Sequence, residues 1–149
     1  MEQNGKLYLT SDTSVLFDDN YRYKISIIDV AHFTKKGTRI TILTNMNKFA
    51  KELMFDKNIL IRILGKRLYC KSGLDKQDNY YLQGEYTIQQ IKDALYTFIQ
   101  EYLLCTMCDK PEVSVKCKNN KIKQKCNACG NNSYLTSSDP DIIHILSKP

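Results

Sequence analysis

Two C-x-x-C pairs, Cys105-Thr106-Met107-Cys108 and Cys126-Asn127-Ala128-Cys129, lie 17 residues apart near the end of a 149-residue chain. Each such segment folds into a tight knuckle whose sulfurs converge, so two knuckles supply the four thiolates of a tetrahedral zinc ion. The spacing falls within the range of four-cysteine zinc ribbons. Gly130, directly after the second pair, allows the left-handed backbone that such knuckles use. Four thiolates leave no open coordination position, so one structural Zn2+ is expected, contributing to folding rather than to catalysis. The alternatives are disulfides, four unconnected cysteines, or a thioredoxin-like redox pair. The last needs a βαβ pattern that surrounds neither pair. Cys70 and Cys117 fall in expected strands and read as small core residues. His32 and His144 are remote from both pairs and are not expected to be ligands.

Other chemistry is thinly represented. No G-x-S-x-G, P-loop, Rossmann glycine run or H-E-x-x-H is present. Asp29, Asp56 and Asp93 have no partner readable from spacing, so the chain is not expected to be an enzyme itself. Basic residues are concentrated in two places: Lys35, Lys36 and Arg39 around Gly37, and Lys116, Lys118, Lys121, Lys123 and Lys125 between the cysteine pairs. Such clusters favour a nucleic acid or an acidic protein face, without choosing between them.

The elements that must position these residues can be read from periodicity. Residues 1–20 carry Glu2, Asp12, Asp18 and Asp19 against Lys6 alone and read as an acidic tail, or at most one edge strand. β-branched and aromatic residues predict strands over Tyr23–Val30 and Arg39–Thr44, a hairpin whose tip is Thr34-Lys35-Lys36-Gly37-Thr38. Met46, Phe49, Ala50, Leu53 and Met54 predict a helix capped by Asn45. Asp56 starts a second, with Ile59, Leu60, Ile63 and Leu64 inward and Gly65 at its end. Short strands follow at Arg67–Lys71 and Tyr80–Gln83, with Ser72-Gly73 as a turn. Thr87 and Gln90 form a capping box for a long helix to Leu103, striped by Ile88, Ile91, Leu95, Phe98, Ile99 and Tyr102. Between the cysteine pairs, residues 112–118 and 121–125 form a hairpin around Asn119-Asn120, and residues 132–136 add a third strand.

The order β-β-α-α-β-β-α predicts an α+β fold, a mostly antiparallel sheet with packed helices, followed by the four-cysteine ribbon. The expected segments are the tail (1–20), the α+β core (21–103) and the ribbon with a C-terminal tail (104–149). A hydrophobic share of 42% and a charged share of 26% exclude a disordered chain. No apolar run approaches the ~20 residues of a membrane helix. The first residues lack a signal-peptide pattern, so a reducing, cytoplasmic location is expected. The formal charge of +6 favours an anionic partner.

The combination resembles the core shared by eukaryotic initiation factor 5 and the beta subunit of initiation factor 2. The residues carrying it are Tyr21-Arg22-Tyr23-Lys24, Gly37-Thr38-Arg39, Tyr81-Leu82-Gln83-Gly84, the run Phe98–Cys105, Cys126-Asn127-Ala128-Cys129-Gly130 and the closing Ile145-Leu146-Ser147-Lys148-Pro149. The YRYK start and the Ile-Leu-x-Lys-Pro ending look like initiation factor 5. The Gln89-Gln90-Ile91 helix start and the helix pair look more like the beta subunit. Lys24 is followed by Ile25-Ser26 where the family has Met-Pro. The lysine blocks of the beta subunit and the helical-repeat domain of initiation factor 5 have no counterpart here, so activity is expected to rest on the core.

The resemblance implies a translation initiation factor that binds the small ribosomal subunit initiation complex and stimulates GTP hydrolysis by initiation factor 2 during start-codon selection. It implies that Arg22 is the GTPase-activating arginine, acting in trans on the gamma subunit. It further implies that Lys35, Lys36, Gly37 and Arg39 approach initiator tRNA and mRNA, with the ribbon lysines a further RNA candidate. The factor would be a monomer outside the complex and independent of membranes. A beta-subunit-like component of the GTPase/initiator tRNA complex is the first alternative, and a zinc-ribbon transcription protein the second.

Overall fold

The computed structural model describes every residue except 1, 4, 13, 15, 17–19, 136–138, 148 and 149. In chain order its elements are β1 (Glu2–Gln3), β2 (Lys6–Tyr8), β3 (Lys24–Ser26), β4 (Val30–Lys35), β5 (Thr38–Leu43), α1 (Met46–Leu53), α2 (Lys57–Arg67), β6 (Ser72–Leu74), β7 (Tyr80–Gln83) and α3 (Ile88–Phe98). A π-helical turn (Ile99–Leu103) continues α3, and β8 (Val113–Lys118), β9 (Lys121–Cys126), β10 (Asn132–Tyr134) and α4 (Pro140–Ser147) complete the chain. The fold is α+β with antiparallel pairing, as the element order predicts. Two units separate, Met1–Ile25 with Tyr96–Pro149, and Ser26–Leu95.

The continuous unit is built on a sheet ordered β4-β5-β7-β6. Lys36 and Gly37 both take positive φ, 51° and 78°. They therefore make a two-residue turn whose twist suits the antiparallel β4–β5 hairpin, tighter than the five-residue tip expected. One face of the sheet buries Thr41, Leu43, Tyr80 and Leu82, while α1 and α2 bury Met46, Phe49, Leu53, Leu60, Ile61, Ile63 and Leu64. Asp56 caps α2 by accepting from the backbone N–H groups of Asn58 (2.8 Å) and Ile59 (3.2 Å). Thr87 and Gln90 form the expected reciprocal box.

Three expectations change here. Asn45 makes no side-chain cap on α1. Its amide instead accepts from Asp29 N–H (2.7 Å) and donates to Ile27 C=O (2.8 Å), holding the irregular link between β3 and β4. That link splits the single strand expected over 23–30, because β3 lies beside β2 and β4 belongs to a different sheet. Gly65 does not end α2, which runs to Arg67; a methyl at Gly65 would fall on the Ser72 hydroxyl. The strand expected at 67–71 is displaced to Ser72–Leu74 because the helix occupies its first residue, so Cys70 lies outside any strand.

The discontinuous unit contains the sheet β1-β2-β3 and the sheet β10-β9-β8. Residues 1–20 are not a tail. Leu7, Tyr8, Leu9 and Thr10 are buried, Leu9 N–H donates to Tyr23 C=O (2.9 Å), and Tyr8 stacks on Tyr21 at 5.9 Å. Tyr96 donates its hydroxyl proton to Glu2 (2.7 Å), and burial followed by that carboxylate pushes the phenol far above its usual range. The units thus cut across the 1–20, 21–103 and 104–149 segments drawn from composition, because residues near the N terminus pack with residues near the ribbon. The apolar stripe of the long helix is realised: Ile91, Leu95, Phe98, Ile99 and Tyr102 are all buried. Its last turn widens to π geometry, with Phe98 and Tyr102 stacked at 5.2 Å. The C-terminal residues form α4, which buries Ile142 and Ile145, instead of a tail. Thr136, expected to end the third ribbon strand, Asp18 and Asp19 of the acidic group, and the closing Lys148-Pro149 lie outside the described residues.

Candidate metal centre and exposed arginine

Each knuckle is closed by backbone chemistry that follows from its sequence. In the first, Cys105 N–H donates to Lys110 C=O and Asp109 N–H to Cys105 C=O, both at 3.0 Å. In the second, Cys126 N–H donates to Asn131 C=O (2.9 Å) and Gly130 N–H to Cys126 C=O (3.0 Å). The two are equivalent, and the residue after each second cysteine is left-handed: Asp109 at φ 61° and Gly130 at φ 79°. Sequence inspection finds the glycine readily. It misses that Asp109 plays the same part.

The hairpin β8–β9 turns at Asn119 and Asn120, both with positive φ, which sets the register Val113↔Cys126 and brings the knuckles together. The sulfurs of Cys105, Cys108, Cys126 and Cys129 all lie within 4.8 Å of one another, with Cys105–Cys129 at 3.7 Å and Cys108–Cys126 at 3.6 Å. A tetrahedron with metal–sulfur bonds of ~2.3 Å has edges of about 3.8 Å. The donor set and its spacing therefore fit a tetrahedral thiolate-bound ion. Cys70 and Cys117 stand outside this cluster, as do His32 and His144; His32 contacts the Tyr86 carbonyl at 2.6 Å.

The electrostatics of the bare cluster point the same way. Burial works against ionising Cys105, yet the backbone N–H groups of Cys108 and Met107 and the neighbouring thiols hold it down to about 7. At Cys108 the Lys110 backbone N–H favours the thiolate, but desolvation and the facing Cys126, Cys105 and Cys129 sulfurs outweigh it and push the thiol up to about 12. Four adjacent sulfurs cannot all carry charge alone. A divalent cation reverses that, because a coordinated thiol is deprotonated outright.

Gln124 is the residue sequence reading overlooked. It is buried in β9, and its amide donates to Tyr102 C=O (3.1 Å) and Leu104 C=O (2.7 Å) while accepting from Thr106 N–H (3.4 Å). The carbonyls are those freed where the π-turn ends, so one side chain fixes the path of the backbone into Cys105. The only available signal was a glutamine at an inward position of an alternating strand.

Arg22 is exposed, with 73% of its side chain open to solvent. Its Nη2 lies 2.7 Å from the Tyr23 hydroxyl and 3.4 Å from Glu112 Oε1, and Tyr23 donates to the same carboxylate oxygen at 2.6 Å. The guanidinium also lies over the Tyr23 ring at 4.9 Å. Glu112 is in turn held to the second knuckle, its carbonyl accepting from Asn127 N–H at 2.7 Å. Arg22 is thus presented from a docked segment beside the ribbon, where a loose tail was expected.

At the β4–β5 tip, Lys35, Lys36, Gly37 and Arg39 are all exposed, and Arg39 pairs with Glu85. Nothing lies within 4 Å of a Cβ built on Gly37. Its glycine is needed for backbone conformation.

Comparison with known proteins agrees with this geometry. The family described as the domain found in initiation factors 2B and 5 matches residues 13–132. Eukaryotic translation initiation factor 5 of Caenorhabditis elegans is 34% identical over 132 residues, covering 87% of this chain and 29% of that protein. The Dictyostelium discoideum factor of the same name is 30% identical, covering 87% of this chain and 35% of its own. Translation initiation factor 2 subunit beta of Methanosarcina mazei is 28% identical over 92 residues, 62% of this chain and 45% of that subunit. The chain spans about a third of the length of these initiation factor 5 relatives.

Proposed function

The chain belongs to the family of the domain found in initiation factors 2B and 5, and from that premise we propose that it acts as an initiation factor 5-like protein. In this reading it binds the small ribosomal subunit initiation complex and stimulates GTP hydrolysis by initiation factor 2 during start-codon selection, in the cytoplasm. The observation that carries it is the outward guanidinium of Arg22, 73% exposed and held by Tyr23 and Glu112 instead of being buried. A cation presented this way can be offered in trans to the gamma subunit, where it neutralises charge developing on the transferred phosphoryl group. The chain supplies no nucleophile or base; it is an activator and not itself an enzyme. The exposed tip of Lys35, Lys36, Gly37 and Arg39 contacts the phosphates of initiator tRNA or mRNA, with Gly37 letting the backbone approach closely.

The ion is one structural Zn2+, held by Cys105, Cys108, Cys126 and Cys129, whose sulfur spacing fits its bond length. It supplies folding free energy to the ribbon that carries Glu112 and the two knuckles.

Arg22→Ala is expected to slow single-turnover GTP hydrolysis on the ternary complex of initiation factor 2 by about a thousandfold, with metal content and unfolding unchanged. An unaltered rate would sink the activator reading. The similarity to an initiation factor 2 beta subunit supports a second reading, in which the same core is a stable component of the GTPase/initiator tRNA complex. Stoichiometric, stable association with the gamma subunit and no stimulation of hydrolysis would favour it.

A further inference from the structure

The ribbon sheet has two faces of opposite chemistry. Directly opposed residues in an antiparallel pair share a face, and so do residues two apart along a strand. The registers of β8, β9 and β10 therefore set three rows on one face: Ser114–Lys125–Asn132, Lys116–Lys123–Tyr134 and Lys118–Lys121. Val113, Val115, Cys117, Ile122, Gln124, Cys126 and Ser133 point the other way, and Ile122, Gln124 and Cys126 are fully buried there. The outer face holds five lysines and no carboxylate, and none of the five is ion-paired among the described residues. Two lysine pairs, Lys116↔Lys123 and Lys118↔Lys121, stand directly across the ladder from each other. Like charges in that position destabilise a hairpin. The arrangement works against the fold, and only an anionic ligand laid across the rows relieves it.

We infer that the outer face of the ribbon, Lys116, Lys118, Lys121, Lys123, Lys125 and Tyr134, is a binding surface for single-stranded RNA. The rows repeat every two residues, about 6.8 Å along the strands. An extended sugar–phosphate chain can match this repeat with one phosphate per row. Tyr134 selects a nucleic acid strand over an acidic polypeptide. It is half exposed, lies in the same row as Lys116 and Lys123, and offers a ring face on which an unpaired base can stack. A flat sheet face enters no groove, so a duplex would meet the lysines without reaching Tyr134. This surface is separate in sequence from the hairpin tip at residues 35–39, and it does not depend on the reading of Arg22.

The test uses the whole metal-loaded chain, a fluorescent oligouridylate and a series of salt concentrations. The double variant Lys116→Gln/Lys123→Gln should flatten the slope of log affinity against log salt by about 1.4, two phosphate contacts at ~0.7 each for a single strand. Tyr134→Ala should weaken binding about tenfold and leave the slope unchanged. Both effects should persist in a Lys35→Gln/Lys36→Gln background, which assigns them to the ribbon. Removing lysine–lysine repulsion leaves the thermal midpoint equal or higher, so loss of fold is not a competing explanation. Unchanged affinity and slope in the double variant would overturn the proposal. So would polyglutamate competing as well as oligouridylate with Tyr134→Ala without effect, the outcome that assigns the face to an acidic protein.

Discussion

Gln124 shows how much one buried polar side chain can decide. Its amide saturates two carbonyls that the π-turn leaves without helical partners, and these lie immediately before the first metal-binding cysteine. Gln124→Leu keeps the volume and removes the donors. It is expected to destabilise the chain by about 2–3 kcal/mol in chemical denaturation, the cost of leaving buried carbonyls unpaired. It should also slow metal uptake, because the backbone entering Cys105 loses its tether. A denaturation midpoint equal to that of the unaltered chain would contradict this account. Arg22 lies at the other extreme, exposed and paired with Glu112 across solvent, so its removal should leave stability unchanged and register only in activity. The four cysteines were legible from spacing alone. Gln124 and Asp109 were not, because their roles depend on partners that no local pattern names.

Among the elements, those specified by their own few residues matched the reading of the sequence. The β8–β9 hairpin around Asn119-Asn120, the strand Tyr80–Gln83, the Asp56 cap and the Thr87/Gln90 box all obey short-range rules. Elements specified by distant partners were misread. β2 looks like an isolated Leu-Tyr-Leu in a polar stretch, and it is ordered by Tyr23 and by Asp109, which accepts from the Thr10 hydroxyl (2.6 Å) and Ser11 N–H (2.9 Å). Helix α4 had a local signal in Asp139-Pro140-Asp141 before Ile142, Ile145 and Leu146, which the C-terminal reading passed over. Gly65 resembles a helix terminator, yet its job is to let α2 approach β6. Gly65→Ala raises helix propensity by about 1 kcal/mol, but its methyl would collide with Ser72, whose hydroxyl donates to Ile61 C=O (2.9 Å). A net loss of roughly 1–3 kcal/mol is expected from urea unfolding, largely recovered in Gly65→Ala/Ser72→Gly. Stabilisation by the single substitution would show that the two elements can separate at little cost.

At the scale of the molecule, the ion and the N-terminal segment are mechanically joined. Asp109 belongs to the first knuckle and also accepts from Thr10 and Ser11, so the backbone that the metal fixes is the backbone that docks β2. Stripping the metal with a strong chelator should expose the amides of residues 105–136 to hydrogen exchange first and those of residues 6–10 with them. The β4–β7 sheet should stay protected. Simultaneous loss of protection everywhere would rule out this order. Elemental analysis should find one zinc per chain. No described helix is long and apolar enough to cross a membrane. The split of the chain, with Ser26–Leu95 continuous and its companion unit assembled from both ends, also sets a timetable during synthesis. The continuous unit can complete its core as it leaves the ribosome, while Leu7, Tyr8 and Leu9 wait, uncovered, until residues beyond 96 emerge. The apolar strand made first is thus among the last to be sheltered, and the knuckle at Cys105–Asp109 is the event that ends its exposure.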